Sequence, residues 1–346
     1  MITVDGSRGE GGGQVLRSSL ALSMVTGQPF QIEKIRARRK KPGLLNQHLT
    51  ATRAAAEVCK AVLSGDSIGS QGLTFEPGEI KAGRYSFAVG TAGSTTLVLQ
   101  TVLPALMFTH DASEVHLGGG THNPWAPPFD FLQKTLLPAL GKMGPRISAK
   151  LKRPGFYPAG GGELEVVIKP TASPLPVEIT QRGAPVGKRA TAIVARLPRR
   201  IAEIELKVIR ESLGWPETDL KIEELGNSAS PGNVVFLEIE SENITEIFTG
   251  FGRKGLPARS VADRVVQEAL QYLSANAPVG KYLADQLLVP MALAGGRFRT
   301  TELTGHTRTI IEIIREFLDV EISVTETEGE ALEIEIKPAK RNESSR

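Results

Sequence analysis

Three stretches of the chain share one order of sequence features, and this internal repeat restricts the possible folds more than any single motif. Residues 11–36, 93–118 and 280–303 each begin at glycine, continue with apolar residues at helical spacing, pass a turn and end in a strand-like pattern. Apolar periods near 3.6 and 2 predict helix and strand respectively. Because one such unit cannot bury its sheet face alone, the copies are expected to pack around a shared centre.

Each copy is followed by a second predicted helix and a pair of predicted strands. The second helices are expected over residues 46–63, 129–143 and 306–318, and the strand pairs end at Pro77, Pro170 and Pro338. Alternation is clearest over residues 332–336. The sequence therefore predicts three related α+β units.

Residues 181–278 interrupt the series between the second and third copies and carry strand and helix patterns of their own. Pro, Gly and Ser crowd both junctions, as is typical of domain boundaries. We expect residues 1–180 and 279–338 to form one large domain, 181–278 a small inserted αβ domain, and 339–346 a polar tail.

Composition excludes several classes of protein. The single cysteine, Cys59, rules out an internal disulfide and a Cys-based zinc site, and it favours a reducing compartment. With 41 Lys+Arg against 38 Asp+Glu, the net charge of +3 is too small for a global basic field to attract a partner. No apolar stretch approaches membrane-spanning length, and the N-terminus lacks the pattern of a signal peptide. A cytoplasmic protein without a membrane partner is expected.

Residues 6–17, GSRGEGGGQVLR, place glycines and one carboxylate directly before a predicted helix. Backbone N–H groups at such a helix start can close on a phosphate. Glu10 would repel that anion unless it held a divalent cation, for which oxygen ligation suits Mg²⁺ or Mn²⁺. A loop that is glycine-rich for close packing alone explains the pattern equally well. The segment is not a Walker A loop, because no Gly-Lys-Ser/Thr ends it.

Residues 34–41, KIRARRKK, follow a predicted strand and lie one helix from the glycine-rich loop. If the strand continued, Arg36 and Arg38 would share one face and Arg39 would lie on the other, although a loop after Arg36 could turn Arg39 inward. Arginine forks match phosphate oxygens, and Gln47 could add an amide donor. The alternative is a solvated basic face.

Two further loops could contribute to a site. Residues 118–131, GGGTHNPWAPPFDF, join a glycine turn to a proline-stiffened aromatic segment. Such rings could support a nucleobase, although a packed loop is an equal alternative. Residues 155–163, GFYPAGGGE, are expected to connect two strands.

Among the histidines, His306 is distinguished by its position at the start of a predicted helix, one turn before an apolar stripe. The helix dipole there favours a neutral imidazole, which can attack phosphorus. An ordinary helix N-terminus is the alternative. His48 and His122 could line a site, whereas His110 and His116 are expected to be structural or on the surface.

The chain resembles RNA 3′-terminal phosphate cyclases of the catalytic branch along residues 5–338. The resemblance lies in RGEGGGQVLR, IRARRKKPGLLNQHLTA, GTAGSTTLVLQTVLPAL, NPWAPPFDF, GFYPAGGGE, SENITE, VGKYLADQLLVPMALA and the His306 helix, in that order. It implies an α+β fold in which a large domain holds three repeated βα units, each a four-stranded sheet plus two helices, with a small inserted αβ domain. Enolpyruvyl transferases share the repeated architecture but not these motifs.

The resemblance implies a ligase that uses ATP and RNA ending in a 3′-phosphate. His306 would attack ATP to form a histidine–AMP intermediate, AMP would pass to the RNA 3′-phosphate, and the ribose 2′-OH would close a 2′,3′-cyclic phosphate.

The resemblance also implies roles for individual residues. Glu10 would bind the metal, Mg²⁺ or Mn²⁺. The triphosphate or the RNA terminal phosphate would be held by Arg17, Arg36, Arg39 and Gln47. The adenosine site would be formed by Gln100, Pro127, Phe131, Tyr282, Leu283, Ala284, Asp285 and Gln286.

Two other functions are considered. A non-catalytic cyclase-like protein that binds RNA in ribosome assembly would lack the nucleophile, whereas His306 is present. A small-molecule transferase on the same fold would form no covalent intermediate with ATP. The sequence leaves open the RNA, its terminal nucleotide, the cellular metal, activity on DNA ends, and whether helices of the insert pair into a homodimer.

Overall fold

The computed structural model describes residues 1–327 and 331–338, and these form a mixed fold of helices and small four-stranded sheets. The α+β class expected from the sequence is confirmed. The predicted polar tail, residues 339–346, lies outside the described residues.

Three of the sheets pair their strands in the same way. In each, the first two strands in the chain run parallel, the fourth pairs antiparallel with the second, and the third pairs antiparallel with the fourth at the sheet edge. The first sheet, in the order β1-β2-β4-β3, consists of β1 (Ile2–Asp5), β2 (Phe30–Glu33), β3 (Val62–Ser64) and β4 (Leu73–Glu76). The second, in the order β5-β6-β8-β7, consists of β5 (Arg84–Ala88), β6 (Ser113–Gly119), β7 (Arg146–Arg153) and β8 (Gly162–Lys169).

The other two sheets come from the second half of the chain. One, in the order β9-β14-β16-β15, consists of β9 (Val177–Ile179), β14 (Gly296–Thr300), β15 (Val320–Glu326) and β16 (Leu332–Pro338). The other, in the order β11-β10-β12-β13, lies wholly in the insert and consists of β10 (Pro185–Ala195), β11 (Leu220–Leu225), β12 (Gly232–Ser241) and β13 (Thr245–Phe251).

Helices connect and cover these sheets. Their bounds are α1 (Gln14–Thr26), α2 (Asn46–Cys59), α3 (Thr95–Leu106), α4 (Phe129–Phe131), α5 (Leu137–Gly141), α6 (Arg200–Leu213), α7 (Ala258–Ser274), α8 (Lys281–Ala294) and α9 (Gly305–Phe317). A π-helical turn, Leu132–Leu136, joins α4 to α5. Helix α1 contacts α2, α3, α8 and α9, so these helices pack against a common neighbour. None of the described helices is both long enough and apolar enough to cross a membrane.

The helix predicted over residues 46–63 ends early. Lys60 adopts a left-handed conformation (φ 53°) and closes α2 after Cys59. The next residues pair with β4 instead, in a register that sets Val62 opposite Glu76. The prediction was wrong here because the apolar residues Val62 and Leu63 fit an edge strand as well as the last turn of a helix.

The insert has a hydrophobic core of its own. Val235 and Leu237 of β12 point into a cluster drawn entirely from residues 190–272. Their neighbours Val234 and Phe236 point the other way and join the core of the rest of the protein. Strand alternation therefore lets one sheet contribute to two cores.

A buried carboxyl group, Glu246 on β13, meets the start of α8. It is 2% exposed and accepts a hydrogen bond from the Gly280 N–H at 2.7 Å. Burial raises the pKa of Glu246 to about 8. Burial also raises the pKa of Glu205, on α6, to about 7.

These carboxyl groups predict a stability that declines with pH. Since the folded chain holds protons that the unfolded chain releases above its usual pKa of 4.5, the free energy of unfolding should fall as pH rises from about 4.5 to about 8. Glu246→Gln should flatten much of that slope, an effect on the order of 3 kcal/mol at pH 8. Urea unfolding at a series of pH values measures it. The exposed Glu240→Gln is the control, and an equal change in both variants would contradict the assignment.

Candidate active site

The start of α9 is held by a network of hydroxyl groups around His306. Thr304 caps the helix, and its Oγ1 accepts a hydrogen bond from the Thr307 N–H at 3.0 Å. Both threonine hydroxyls also donate to Oδ1 of Asp285 on α8, at 3.1 Å from Thr304 and 2.6 Å from Thr307. Burial raises the pKa of Asp285, and the hydrogen bond from Thr307 opposes that shift. The backbone that carries His306 is thus tied to a second helix.

The glycine-rich loop brings Glu10 to this helix start. Nε2 of His306 lies 3.2 Å from Oε2 of Glu10, and Nη2 of Arg39 lies 3.4 Å from the same oxygen. All three side chains remain accessible to solvent. A ligand that enters here would therefore meet an imidazole, a carboxylate and a guanidinium together.

Close packing explains two glycines of this loop. Gly9 has φ +54°, and a Cβ there would lie 2.1 Å from Oγ1 of Thr309 on α9. A Cβ on Gly12 would lie 3.0 Å from Nη2 of Arg39. The loop is therefore glycine-rich for close approach. Phosphate binding by backbone N–H groups needs the same absence of side chains.

A second polar group lies at the start of α1. A Cβ on Gly13 would lie 2.3 Å from Nε2 of His48 and 2.9 Å from Nη1 of Arg17, so both side chains surround this residue. The Leu45 N–H donates to Nδ1 of His48 at 3.2 Å, which assigns the ring proton to Nε2. Burial, and then the charges of Arg17 and Arg36, lower the pKa of His48 to about 3, so its ring is a neutral donor.

Arg17 is a half-buried cation without a matching anion. Burial lowers the pKa of Arg17 to about 10, and no carboxylate of the described residues compensates. Together with the N–H groups at the start of α1, it forms a place suited to an anionic ligand.

The basic segment does not continue the preceding strand, so the alternation predicted for it was wrong. Strand β2 ends at Glu33, and Lys34 and Arg36 take left-handed conformations with φ of 53° and 56°. Nη1 of Arg36 donates to the backbone oxygens of Lys41 and Gly43, so this side chain braces its own loop. The turn carries Arg39 to Glu10, as the alternative of an inward-turning loop had allowed.

Three glutamines are held by hydrogen bonds of their side-chain amides. Oε1 of Gln47 accepts from the Ser94 N–H at 2.6 Å, which leaves its NH₂ group for a ligand. Nε2 of Gln100 donates to Oε1 of Gln286, and Nε2 of Gln286 donates to the Tyr282 carbonyl at 2.8 Å. Asp285, Gln286 and Gln100 thus join α3 and α8 beside the His306 helix.

The residues expected around an adenosine differ in accessibility. Tyr282 is 49% exposed. In contrast, Phe131 is 3% exposed, and Leu283 and Ala284 are fully buried, so these three belong to the core in this structure. Pro127 is partly exposed, and its carbonyl accepts from Oγ1 of Thr96 at 2.7 Å.

His122 and His116 lie away from the group around His306 and His48. His122 is buried, its Nε2 lies 3.0 Å from Oδ2 of Asp130, and its ring stacks on Phe156 at 5.1 Å between centroids. It therefore joins two loops and does not line the candidate site. His116 lies on the outer face of β6 near Glu165, as expected for a surface residue.

Sequence reasoning missed the role of Thr304 and Thr307. A hydroxyl residue directly before a helix is a capping signal, and it could have identified Thr304. Nothing local indicates that Asp285, on another helix, accepts from both hydroxyls.

Glu10 is an isolated carboxylate. Within residues 1–327 and 331–338, no three His, Cys, Asp or Glu side chains cluster as a metal site. This donor set does not suit zinc, but it suits Mg²⁺, which keeps waters and nucleotide phosphates as most of its ligands.

Comparisons with known proteins agree with the sequence resemblance. A family model described as RNA 3′-terminal phosphate cyclase matches residues 8–324. The chain is 52% identical over 330 residues to the RNA 3′-terminal phosphate cyclase of Koribacter versatilis (strain Ellin345), covering 95% of this chain and 93% of that protein. Among solved structures, the enolpyruvyl transferase NikO from Streptomyces tendae aligns with a TM-score of 0.37 and 10% identity, over 96% of this chain and 48% of that one, a likeness too weak to bear on fold or function. On the family match and the curated relative, the chain belongs to the RNA 3′-terminal phosphate cyclase family.

Proposed function

We propose that this chain uses ATP to convert the 3′-terminal phosphate of RNA into a 2′,3′-cyclic phosphate, with His306 as nucleophile. The observation that carries the proposal is the placement of His306 at the start of α9, with Nε2 3.2 Å from Glu10 of the glycine-rich loop. A helix N-terminus and a glycine-rich loop meeting at an accessible imidazole suit attack on a nucleotide phosphate.

In the first step, a ring nitrogen of His306 attacks the α-phosphorus of ATP. A nitrogen–phosphorus bond forms, the bond from the α-phosphorus to its bridging oxygen breaks, and pyrophosphate leaves. Asp285 supports the step by fixing the helix start through Thr304 and Thr307. Because this fixation is present before ATP binds, little ordering remains to be done at the moment of attack.

In the second step, an oxygen of the RNA 3′-phosphate attacks the same phosphorus and displaces His306, which leaves AMP joined to the RNA end. In the third step, the neighbouring 2′-OH loses its proton and attacks the 3′-phosphorus, and AMP leaves. A phosphate monoester cannot close this ring readily, because its leaving group would be an oxide. Adenylation supplies a better leaving group, and the 2′-OH is already adjacent.

Several side chains would stabilise charge along this path. Arg17 and the neutral ring of His48 would donate hydrogen bonds to phosphate oxygens at the start of α1. Arg39 and Gln47 would contact the triphosphate or the RNA end. Arg36 would act mainly by shaping the loop that carries Arg39. Glu10 would hold the divalent cation, which would neutralise phosphate charge when bound.

An adenosine would lie near Tyr282, Pro127 and the Gln100–Gln286 pair. The exposed ring of Tyr282 supports that placement. Phe131, Leu283 and Ala284 would shape the floor of the site from the core side. One carboxylate oxygen of Asp285, Oδ1, already accepts hydrogen bonds from the hydroxyls of Thr304 and Thr307.

We further infer that residues 1–180 and 279–338 form a large domain of three repeated units, and 181–278 an inserted domain. The common pairing pattern of the three sheets supports the repeat. The separate core within residues 190–272 supports the insert.

The test of this function is incubation of the chain with ATP labelled at the α-phosphate and Mg²⁺ or Mn²⁺, followed by denaturation. We expect acid-labile label on the protein, and its transfer to RNA ending in a 3′-phosphate but not to the same RNA ending in a 3′-OH. Absence of protein-bound label, with ATP still bound, would overturn the nucleophile assignment and favour a binding protein on this fold.

A further inference from the structure

Two aromatic side chains project from the surface although neither contributes to the core. Trp125 is 92% exposed and Tyr157 is 69% exposed, whereas the other tryptophan, Trp215, is 5% exposed. Trp125 also has φ +66°, a conformation that a bulky side chain rarely adopts. An exposed aromatic residue held in a costly backbone conformation gains nothing from packing, which indicates a role in binding.

The two loops that carry these rings are fixed to each other. The His122 ring stacks on the Phe156 ring at 5.1 Å, and these residues lie close in sequence to Trp125 and Tyr157. Thr121 accepts through Oγ1 from the Gly155 N–H at 2.9 Å. The rings therefore stand on a rigid base and lose little freedom on binding.

Both loops also contact the segment that leads to the candidate active site. Nδ2 of Asn123 donates to the Ala92 carbonyl, and a Cβ on Gly160 would lie 2.8 Å from Cα of Ala92. Two residues later, the Ser94 N–H donates to Gln47, which precedes His48 in α2. The loops that carry the exposed rings are thus connected through Ala92 and Ser94 to Gln47, which precedes His48 of the group around Arg17.

The loop that carries Tyr157 also contacts a residue bound by an exposed cation. A Cβ on Gly161 would lie 3.1 Å from Cβ of Ala229, whose carbonyl accepts from Nη1 of the exposed Arg196 at 3.2 Å. Among the described residues, Arg196 has no carboxylate within ion-pairing distance. A cation beside exposed rings is typical of surfaces that bind single-stranded nucleic acid.

We propose that Trp125 and Tyr157 stack on nucleobases of the RNA strand just 5′ of its terminal phosphate. This rests on the proposed function, since it places RNA at the site. Stacking on aromatic rings is tolerant of sequence because every base has a π-face. The rings are assigned to the RNA because the loops that carry them contact Ala92 and Ala229, which connect them to Gln47 and Arg196.

The test compares ligands of different length. For a hexanucleotide with a 3′-phosphate, Trp125→Ala and Tyr157→Ala should each raise Kd about 10- to 100-fold, measured by anisotropy of labelled RNA. Binding of a nucleoside 3′-phosphate and labelling of the protein by ATP should stay unchanged. Tyr157→Phe should retain the affinity, and Leu175→Ala, another exposed apolar side chain, is the control.

Fluorescence gives an independent reading. In a Trp215→Phe chain Trp125 is the sole tryptophan, and its emission should be quenched by the hexanucleotide but not by the nucleoside 3′-phosphate. Unchanged hexanucleotide affinity in both alanine variants would overturn the proposal, as would altered oligomeric state without altered RNA binding. If protein labelling by ATP fails in the parent chain, the proposed chemistry fails, while the binding measurement still decides the role of the rings.

Discussion

Replacing His306 by asparagine should abolish protein-bound AMP and reduce cyclisation by at least ~10³-fold, because the other imidazole of the site, His48, has its ring lone pair committed to the Leu45 N–H. Asparagine keeps polarity and approximate size, and the cap formed by Thr304 and Thr307 does not involve the histidine ring. ATP affinity should therefore change little. Single-turnover labelling with α-labelled ATP and equilibrium ATP binding measure the two effects separately.

His116→Asn is the matched control, because this histidine lies on the outer face of β6 beside Glu165. We expect it to label and cyclise like the parent chain. Protein-bound AMP at the parent level in His306→Asn would show that another residue is the nucleophile. An RNA adenylate supplied ready-made should still close to the cyclic phosphate in His306→Asn, since the third step does not use the histidine.

Replacing Arg17 by methionine should separate stability from activity. Methionine fills similar space without burying a charge, so the ligand-free chain should be more stable by about 1 kcal/mol. The same change removes a cation from the phosphate site and should lower kcat/KM for cyclisation by about 10²- to 10³-fold. Urea unfolding without nucleotide and steady-state cyclisation measure the two effects.

The comparison for this variant is Arg189→Met, an exposed arginine of β10 in the insert. We expect its changes in unfolding free energy and in kcat/KM to be no more than a few tenths of those caused by Arg17→Met. Inorganic phosphate should stabilise the parent chain against urea and stabilise Arg17→Met much less. Equal stabilisation of both chains would show that Arg17 does not meet phosphate.

Local pattern predicted most helices well. The helix expected to start at residue 306 begins at Gly305, and the one expected over residues 129–143 runs from Phe129 to Gly141 with a π-helical middle. Errors arose where a segment's pattern fits two structures. The continuation past Cys59 and the basic run after Glu33 both read as regular structure, but a residue with positive φ redirects the chain in each case.

The aromatic loop shows why pattern cannot assign contacts. Phe131 and Trp125 belong to one proline-stiffened segment, and both fit a shelf for a base. In the structure Phe131 is in the core and Trp125 is in solvent. The difference depends on how the segment packs against residues 155–161 and on the helix that starts at Phe129, neither of which is written in the local sequence.

Apolar periodicity over neighbouring residues indicated the α+β class, and the resemblance of several long motifs identified the family and the candidates His306, Glu10 and the arginines. The tertiary structure alone decided which candidates meet. It places Glu10 and Arg39 at His306, gathers Arg17 and His48 at Gly13, and ties Asp285 to the cap of α9. These contacts join residues far apart in the chain, and their distances follow from how α1, α8 and α9 pack on a common core.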